Sequence, residues 1–385
     1  MKDDSLMLYL HVPFCVKKCN YCDFLSFASG DDTKERYVDA LCKELVGRKQ
    51  EMLGRRVSSI FFGGGTPSLL SHARIRRILD LIRRIAYVDK NAEITMECNP
   101  GTATFENLKG YREAGVNRLS IGLQSASSKE LKLLGRIHDY RTFLKTYQDA
   151  RKAGFLGVNV DLMSAIPGQD LAAFRETLES VLGLSPQPEH LSVYSLILEE
   201  GTKFWQWDQE GRFQGDLAIP SEEVDRAIYA DTRERLTKAG YEQYEISNYA
   251  KPGFECRHNL GYWTRRDYLG LGLGAASLLS EVRYQNETDI GKYLADPLAG
   301  RSAQTLSKKD QMEEFLFLGL RKCKGVPKKE FLECFGSSLS EVYSAVIEKN
   351  VSDGLLEEDE AGIRLTKRGM DLANYVCAQF LLDEV

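Results

Sequence analysis

Three cysteines near the start of the chain restrict what it can fold into and bind. Cys15, Cys19 and Cys22 are separated by three and then two residues, directly after the apolar run 8–12. That run predicts a buried strand, because it is short, apolar and rich in strand-forming residues. A short loop with this spacing can fold three thiolates onto one centre. The sequence therefore predicts a thiolate-bound cofactor at the end of a strand.

The identity of that cofactor follows from what the loop lacks. A zinc site would need a fourth ligand, and no Cys or His lies at the usual second-pair distance. An iron–sulfur cubane held by three thiolates leaves one iron open to a small molecule. Three buried cysteines, or a redox pair, are the alternative. The missing fourth ligand favours a 4Fe-4S cluster.

The cysteine spacing resembles the signature of the radical S-adenosylmethionine (SAM) superfamily. The flanking words His-Val-Pro-Phe at 11–14 and Tyr-Cys-Asp-Phe at 21–24 are similar to its oxygen-independent coproporphyrinogen III oxidase-like family, which includes the HemW-type haem chaperone branch. The resemblance implies that the open iron binds the amino and carboxylate groups of SAM. In that superfamily one electron from the cluster breaks the sulfur–C5′ bond, giving methionine and a 5′-deoxyadenosyl radical.

Composition sets the cellular setting. The net charge of −5 argues against broad nucleic-acid binding. Nine cysteines without a secretion signal predict a reducing cytoplasm. No segment reaches the length of a membrane span, which leaves only peripheral contact with a membrane.

Strands and helices alternate six times, and the unusual polar residues follow the strands. This rhythm predicts an α/β fold with its site at the carboxyl edge of a parallel barrel. A closed eight-stranded barrel is the alternative. Six units favour a partial (β/α)6 TIM-like radical SAM barrel. The predicted strands are 8–12, 57–62, 92–96, 116–123, 156–162 and 190–197.

A chain of 385 residues predicts more than one domain. We expect the barrel in residues 1–200 and a barrel-closing extension in 201–300, with a loop over 205–207. The polar, Gly- and Pro-containing segment 296–307 marks the next boundary. Residues 301–385 predict a mostly helical, winged-helix-like domain, whose acidic wing argues against DNA binding.

A glycine cluster follows the second predicted strand at residues 63–65, and Thr66 comes next. Glycines let a backbone approach a ligand closely, although a triplet alone is weak support for a site. It is not a phosphate loop, because the Lys-Ser/Thr pair that should follow is absent. The resemblance implies that Gly64, Gly65 and Thr66 contact SAM.

Polar residues also end or follow later strands. From the residues alone Glu97 is a solvated charge. The resemblance instead places Glu97, Gln124, Arg136 and Asp161 at SAM. The planar fork of Arg136 suits a carboxylate, and Asp161 suits ribose hydroxyls or a charged ligand group. The resemblance also implies that three further residues contact the adenine of SAM or the cluster: Tyr9, Tyr21 and Ser195. Taken singly, each of the three is typical of core packing.

The segment 256–263 resembles the His-Asn-x-x-Tyr-Trp motif of the chaperone branch, which is associated with haem. Imidazole is a good ligand for haem iron, and aromatic rings can pack on a macrocycle. From the residues alone, a structural hydrogen-bonding cluster is favoured. The resemblance adds haem binding at four residues: His258, Asn259, Tyr262 and Trp263.

The sequence also departs from the family pattern. Phe24 stands where the oxidase has a fourth cysteine, which disfavours the oxidase and favours the chaperone branch. Ser164 and Ala165 replace an aromatic residue and a glycine, and Ala276 replaces a histidine. If that histidine serves substrate or haem in relatives, this chain handles its ligand differently.

The resemblance implies a protein that binds haem and delivers it to haem proteins such as respiratory cytochromes. The alternative is a radical SAM enzyme acting on a tetrapyrrole, as in the oxidative decarboxylation of coproporphyrinogen III. The residues do not decide whether SAM is turned over or only bound. The implied partners are haem or another tetrapyrrole, haem-accepting proteins, and a reductant such as a flavodoxin or ferredoxin.

Overall fold

A computed structural model describes residues 4–382. Six parallel strands form its centre, each hydrogen-bonded to the next in chain order. The strands are β1 (Ser5–Val12), β2 (Arg56–Gly64), β3 (Tyr87–Cys98), β4 (Arg118–Gln124), β5 (Gly157–Ser164) and β6 (His190–Ser195). The connecting helices are α1 (Asp31–Gly47), α2 (Lys49–Met52), α3 (His72–Ile85), α4 (Phe105–Ala114), α5 (Ser128–Leu134), α6 (Tyr140–Lys152) and α7 (Leu171–Leu182). The predicted partial (β/α)6 barrel is confirmed.

Helix α3 illustrates why these segments fold as they do. Ile75, Ile78, Leu79 and Ile82 recur at helical spacing and are all buried in the main core. The Ser71 side chain accepts a hydrogen bond from the Arg74 amide at 3.4 Å and begins the helix. Its apolar stripe therefore packs the helix against the sheet.

The extension continues the same sheet at both edges. Strand β8 pairs antiparallel with β6, and β9 pairs parallel with β1, so the sheet stays open with twelve strands. Its elements are α8 (Lys203–Gln209), α9 (Glu222–Lys238), β7 (Glu242–Glu245), β8 (Asn248–Ala250), α10 (Arg257–Trp263), β9 (Tyr268–Leu271), β10 (Ala276–Leu279), β11 (Val282–Gln285), α11 (Ile290–Ala295) and β12 (Ser302–Thr305). The loop expected over 205–207 is wrong: α8 forms because Phe204 is fully buried beside Leu134 and Met163.

Buried Glu44 of α1 fixes the extension to the barrel. Its carboxylate accepts hydrogen bonds from the Gly272 amide, the Asn286 side chain and the Tyr293 hydroxyl, each at 2.8 Å. Arg48 donates at 3.1 Å and supplies the countercharge. A buried carboxylate needs such partners to remain charged, so these four bonds hold the segment 272–293 against α1.

The C-terminal elements have a core of their own, distinct from that of the barrel. A three-stranded sheet in the order β13-β15-β14 lies among helices, which confirms the winged-helix-like character. The elements are α12 (Lys308–Gly319), β13 (Val326–Pro327), α13 (Lys328–Phe335), α14 (Leu339–Ser352), β14 (Leu356–Glu358), β15 (Gly362–Leu365), α15 (Lys367–Asp371) and α16 (Ala373–Ala378). Across residues 4–382, no helix is both long and apolar enough to cross a membrane.

Candidate functional site: a cavity inside the barrel

A cavity of about 320 Å³ opens at the carboxyl ends of the barrel strands and reaches into the barrel; we call it the barrel cavity. The three cysteines of the loop after β1 line it, together with residues from β2 to β6. Most of the predicted SAM residues lie there: Tyr21, Gly64, Gly65, Thr66, Glu97, Gln124, Arg136 and Asp161. The fold thus brings together residues that are up to about 150 positions apart in the chain.

Several lining residues were missed by the sequence analysis. They alternate along the strands, as with Ser120 and Gly122 on β4, Asn159 on β5, and Ser192 and Tyr194 on β6. Strands of a parallel sheet covered on both faces normally carry near-continuous apolar runs. Polar residues at every second position therefore mark the face that lines a cavity, and this period-two signal was available in the sequence.

The cysteine loop is fixed by hydrogen bonds at both ends. The Cys15 amide donates to the Phe27 carbonyl at 3.0 Å, and the Asn20 side chain donates to the Leu133 carbonyl at 2.8 Å. His11 Nε2 lies 2.8 Å from the Leu25 carbonyl oxygen. Gly65 packs so closely that a Cβ there would lie 2.7 Å from the Phe14 carbonyl oxygen. Position 65 therefore needs a glycine, because only a residue without a side chain leaves room for the backbone of the cysteine loop.

The thiols have polar neighbours suited to a bound anionic cluster. Cys15 Sγ lies 3.5 Å from the Thr66 hydroxyl, and Arg136 Nη1 lies 3.6 Å from Cys19 Sγ. Burial raises the pKa of the Cys22 thiol to about 11, so a metal must displace its proton. Three soft sulfur donors beside a fixed cation fit an iron–sulfur cluster. Within residues 4–382, no trio of His, Cys, Asp or Glu side chains is already closed around a metal-ion position.

Two carboxyl groups line the cavity deeper in the barrel. Glu97 accepts a hydrogen bond from the Gly64 amide at 3.1 Å. Burial, and secondly the charge of Asp161, raise the Glu97 pKa to about 8. Asp161 accepts from Asn159 at 2.7 Å and from Ser120 at 3.2 Å, while burial raises its pKa. Both groups offer acceptor oxygens that suit ribose hydroxyls or an ammonium group.

Arg136 and Gln124 lie on the same side of the cavity. Arg136 Nη2 donates to the Asn99 side chain and to the Gly122 carbonyl, both at 2.7 Å. The side-chain Oε1 of Gln124 accepts a hydrogen bond from the Tyr194 hydroxyl at 2.7 Å. These bonds hold the Arg136 guanidinium and the Gln124 side-chain amide in place before a ligand binds, and such preorganisation favours affinity.

Two predicted residues do not line the cavity. The Tyr9 hydroxyl lies 3.0 Å from His11 Nδ1, and its ring stacks near Phe61. Ser195 donates to Asp225 at 2.8 Å, which joins β6 to α9. Contacts of Tyr9 and Ser195 with adenine or the cluster stay predictions.

The segment expected to bind haem forms helix α10, which closes the opposite, amino-terminal end of the barrel. His258 Nδ1 lies 2.8 Å from the Ser59 hydroxyl and Nε2 lies 3.0 Å from the Tyr262 hydroxyl. Its ring is buried, and this burial lowers its pKa to about 3. Ser59 precedes Gly64 by five strand residues, or roughly 16 Å. The imidazole therefore lies far from the cysteines, with both nitrogens engaged.

The other residues of the motif face different surroundings. Asn259 lines the barrel cavity. The Trp263 ring lies under the Arg321 guanidinium at 4.4 Å and lines a separate cavity against the C-terminal elements. Cys256 is fully buried and donates to Glu93 at 3.5 Å, and burial raises its pKa to about 12. Haem binding by this segment stays a prediction, and His258 would have to give up a bond to ligate iron.

The departures from the family pattern are visible as well. Phe24 lines the barrel cavity and is 57% exposed, so an apolar ring occupies the position of the oxidase's fourth cysteine. Ala165 has φ of 56°, a left-handed conformation in which glycine is favoured. Ala276 lies exposed on β10, opposite Gln285.

An open parallel barrel with three cysteines at the mouth of its cavity defines a radical SAM protein. The family model described as the Radical SAM superfamily matches residues 9–181, and the HemN C-terminal domain matches residues 306–372. Radical SAM proteins bind a 4Fe-4S cluster and SAM, the two groups that this cavity fits.

Similarity over the whole chain narrows the class. The chain is 36% identical to the haem chaperone HemW of Bacillus subtilis, over 97% of this chain and 98% of that protein. It is 35% identical to HemW of Escherichia coli over the full length of both. The chain therefore belongs to the HemW family. It is also similar to the structure of coproporphyrinogen III oxidase HemN from E. coli, described as a radical SAM enzyme, with a TM-score of 0.83 and 27% identity over 98% of this chain and 90% of that one.

Proposed function

We propose that this protein is a cytoplasmic haem chaperone that binds haem and passes it to haem-requiring proteins such as respiratory cytochromes. The observation that carries the proposal is the similarity to HemW proteins through both the barrel and the C-terminal elements. Phe24 at the place of a fourth cysteine supports the same assignment.

We infer that Cys15, Cys19 and Cys22 hold the 4Fe-4S cluster, because their thiols line one cavity beside Arg136. When bound, the cluster supplies an electron to SAM. Arg136 is suited to the SAM carboxylate, and Glu97 with Asp161 to its hydroxyl and ammonium groups. A flavodoxin or ferredoxin is the class of reductant that such a cluster needs.

A second candidate function is a radical SAM enzyme acting on a tetrapyrrole. The similarity to coproporphyrinogen III oxidase favours it, since the match extends over nearly the whole chain. The exposed phenyl ring of Phe24 counts against that particular oxidase. The two functions differ in stoichiometry: an enzyme forms product over many turnovers, and a chaperone transfers the haem that it carries.

The experiment that separates them starts from anaerobically reconstituted protein with SAM and a reductant. One portion receives haem and then an apo-cytochrome, and transfer is followed by absorbance. The other receives coproporphyrinogen III, and 5′-deoxyadenosine and tetrapyrrole products are measured by chromatography. Stoichiometric haem transfer without a new tetrapyrrole supports the chaperone. Product formation without haem binding refutes it.

The location of haem needs its own variants. We expect the wild type to bind haem in near-equimolar amounts. Titrations of His258→Ala and Cys256→Ala test the two ligands that the motif offers. If His258→Ala keeps the affinity and the absorption spectrum, the imidazole has the structural role that its bonds to Ser59 and Tyr262 indicate.

A further inference from the structure

The end of β4 has a backbone conformation that needs outside support. Gln124 has φ of 70°, in the left-handed region that residues other than glycine seldom adopt. The pairing of β4 with β5 shifts register between Gly122 and Gln124, so the ladder is interrupted there. Such strain persists only where the surrounding structure enforces it, and it is concentrated at functional sites.

Two alternate residues after α5 bind the two carbonyls just before Gln124. Arg136 Nη2 donates to the Gly122 carbonyl at 2.7 Å, and His138 Nε2 lies 3.3 Å from the Leu123 carbonyl oxygen. Because a carbonyl only accepts, the imidazole must carry its proton on Nε2. Consecutive peptide groups are thereby oriented, one by each side chain.

Both side chains carry a buried nitrogen that has no hydrogen-bond partner within the described part of the chain, Arg136 Nε and His138 Nδ1. His138 is 7% exposed, so its Nδ1 lone pair has little access to water. An unsatisfied buried group is unfavourable and calls for a compensating role. His138 also lines a small cavity of about 20 Å³ together with Cys19 and Arg136, which places it beside the cysteine loop.

We propose that His138 is a positioning residue for SAM: by holding the Leu123 carbonyl, it keeps Gln124 in the conformation that turns its amide into the barrel cavity. The proposal rests on the proposed SAM site, in which Gln124 contacts the cofactor. The sequence offered no hint of this role, because His138 has no ligand-like spacing to the cysteines.

The test compares two amide replacements of different reach. His138→Gln can place its amide nitrogen near the position of Nε2, whereas the amide of His138→Asn reaches only the position of Nδ1. We expect His138→Asn to weaken SAM binding by about tenfold or more, as small misplacements in a site do, and His138→Gln to restore most of it. SAM affinity is measured by calorimetry on reconstituted protein, with iron content and thermal melting recorded for each variant.

A readout specific to positioning comes from a double-mutant cycle. In a Gln124→Gly background, where glycine adopts a positive φ without strain, His138→Asn should leave SAM affinity unchanged within about twofold. The change that SAM causes in the electron paramagnetic resonance spectrum of the reduced cluster should be altered in His138→Asn and restored in His138→Gln. His72→Asn is the matched control, since His72 bonds Asn107 outside the cavity.

The outcomes separate the proposal from its premise. Equal SAM affinities and spectra for wild type, His138→Gln and His138→Asn overturn the positioning role, as do additive effects in the cycle. A wild type that takes up a cluster but binds no SAM overturns the SAM site itself. If His138→Asn does not fold, His138→Leu, which fills the buried site without a hydrogen-bond donor for the Leu123 carbonyl, takes its place in the same cycle with Gln124→Gly.

Discussion

Replacement of Arg136 by alanine is the sharpest test of the barrel cavity. The guanidinium lies among Cys19, Asn99 and Gly122, with two bonds at 2.7 Å that fix its plane. Its remaining N–H groups can face a carboxylate, because its contacts within the described residues are with a thiol, an amide and a backbone carbonyl and none is an ion pair with a protein carboxylate. A fixed, uncompensated guanidinium is what recognition of the SAM carboxylate requires.

The loss of SAM affinity in Arg136→Ala follows from the hydrogen bonds that the Arg136 guanidinium would make to the SAM carboxylate. A hydrogen bond to a charged group contributes about 1.5–3 kcal/mol. At about 1.4 kcal/mol per factor of ten, Arg136→Ala should raise the Kd for SAM roughly 10- to 150-fold. The variant should also be less stable, because the Gly122 carbonyl loses its partner. Arg136→Lys retains the positive charge but not the planar, two-pronged guanidinium, so its Kd for SAM should lie between those of the wild type and Arg136→Ala.

Isothermal calorimetry of SAM into reconstituted protein measures this change, and iron analysis excludes cluster loss as its cause. Arg151→Ala is the matched control: Arg151 is also largely buried and pairs with Glu189 at 2.9 Å, but it lies outside the barrel cavity. We expect it to lower stability without changing SAM affinity. An unchanged Kd in Arg136→Ala would remove this arginine from the SAM site.

Three further changes test the cluster loop and the electrostatics of the cavity. Alanine at any one of the three loop cysteines should abolish the iron–sulfur absorbance, whereas Cys42→Ala should not; a triple variant with a full cluster would contradict the assignment. Gly65→Ala should also impair cluster uptake, because the new Cβ would lie 2.7 Å from the Phe14 carbonyl oxygen, while Gly30→Ala, with open space around it, should not. Folding raises the Glu97 pKa from 4.5 to about 8. Between these two pH values Glu97 is ionised in the unfolded chain but still protonated in the folded one, so the free energy of unfolding falls as the pH rises from about 4.5 to about 8. Glu97→Gln should flatten that fall in denaturant titrations across this pH range, and an unchanged slope would mean that Glu97 is not protonated in the native state.

The sequence by itself determined the elements that depend on local pattern. The cysteine spacing, the apolar runs and the strand–helix rhythm predicted a partial parallel barrel with polar residues at its carboxyl edge. The residues alone made Glu97 a solvated charge, and the resemblance to the radical SAM superfamily placed Glu97 and Asp161 at the ligand; both line the cavity. Local periodicity is enough to predict a strand and the face that it buries, because the strand's own residues determine both.

Tertiary structure decided what depends on contacts between distant segments. The burial of Phe204 made a helix of a predicted loop, and the bonds of His258 to Ser59 and Tyr262 placed the haem motif at the opposite end of the barrel from the cysteines. His138 gained its bond to the Leu123 carbonyl only when the segment after α5 folded back to the end of β4. Such contacts carry no local signature, because side-chain spacing along the chain reports which face a residue occupies and not which partner it meets there.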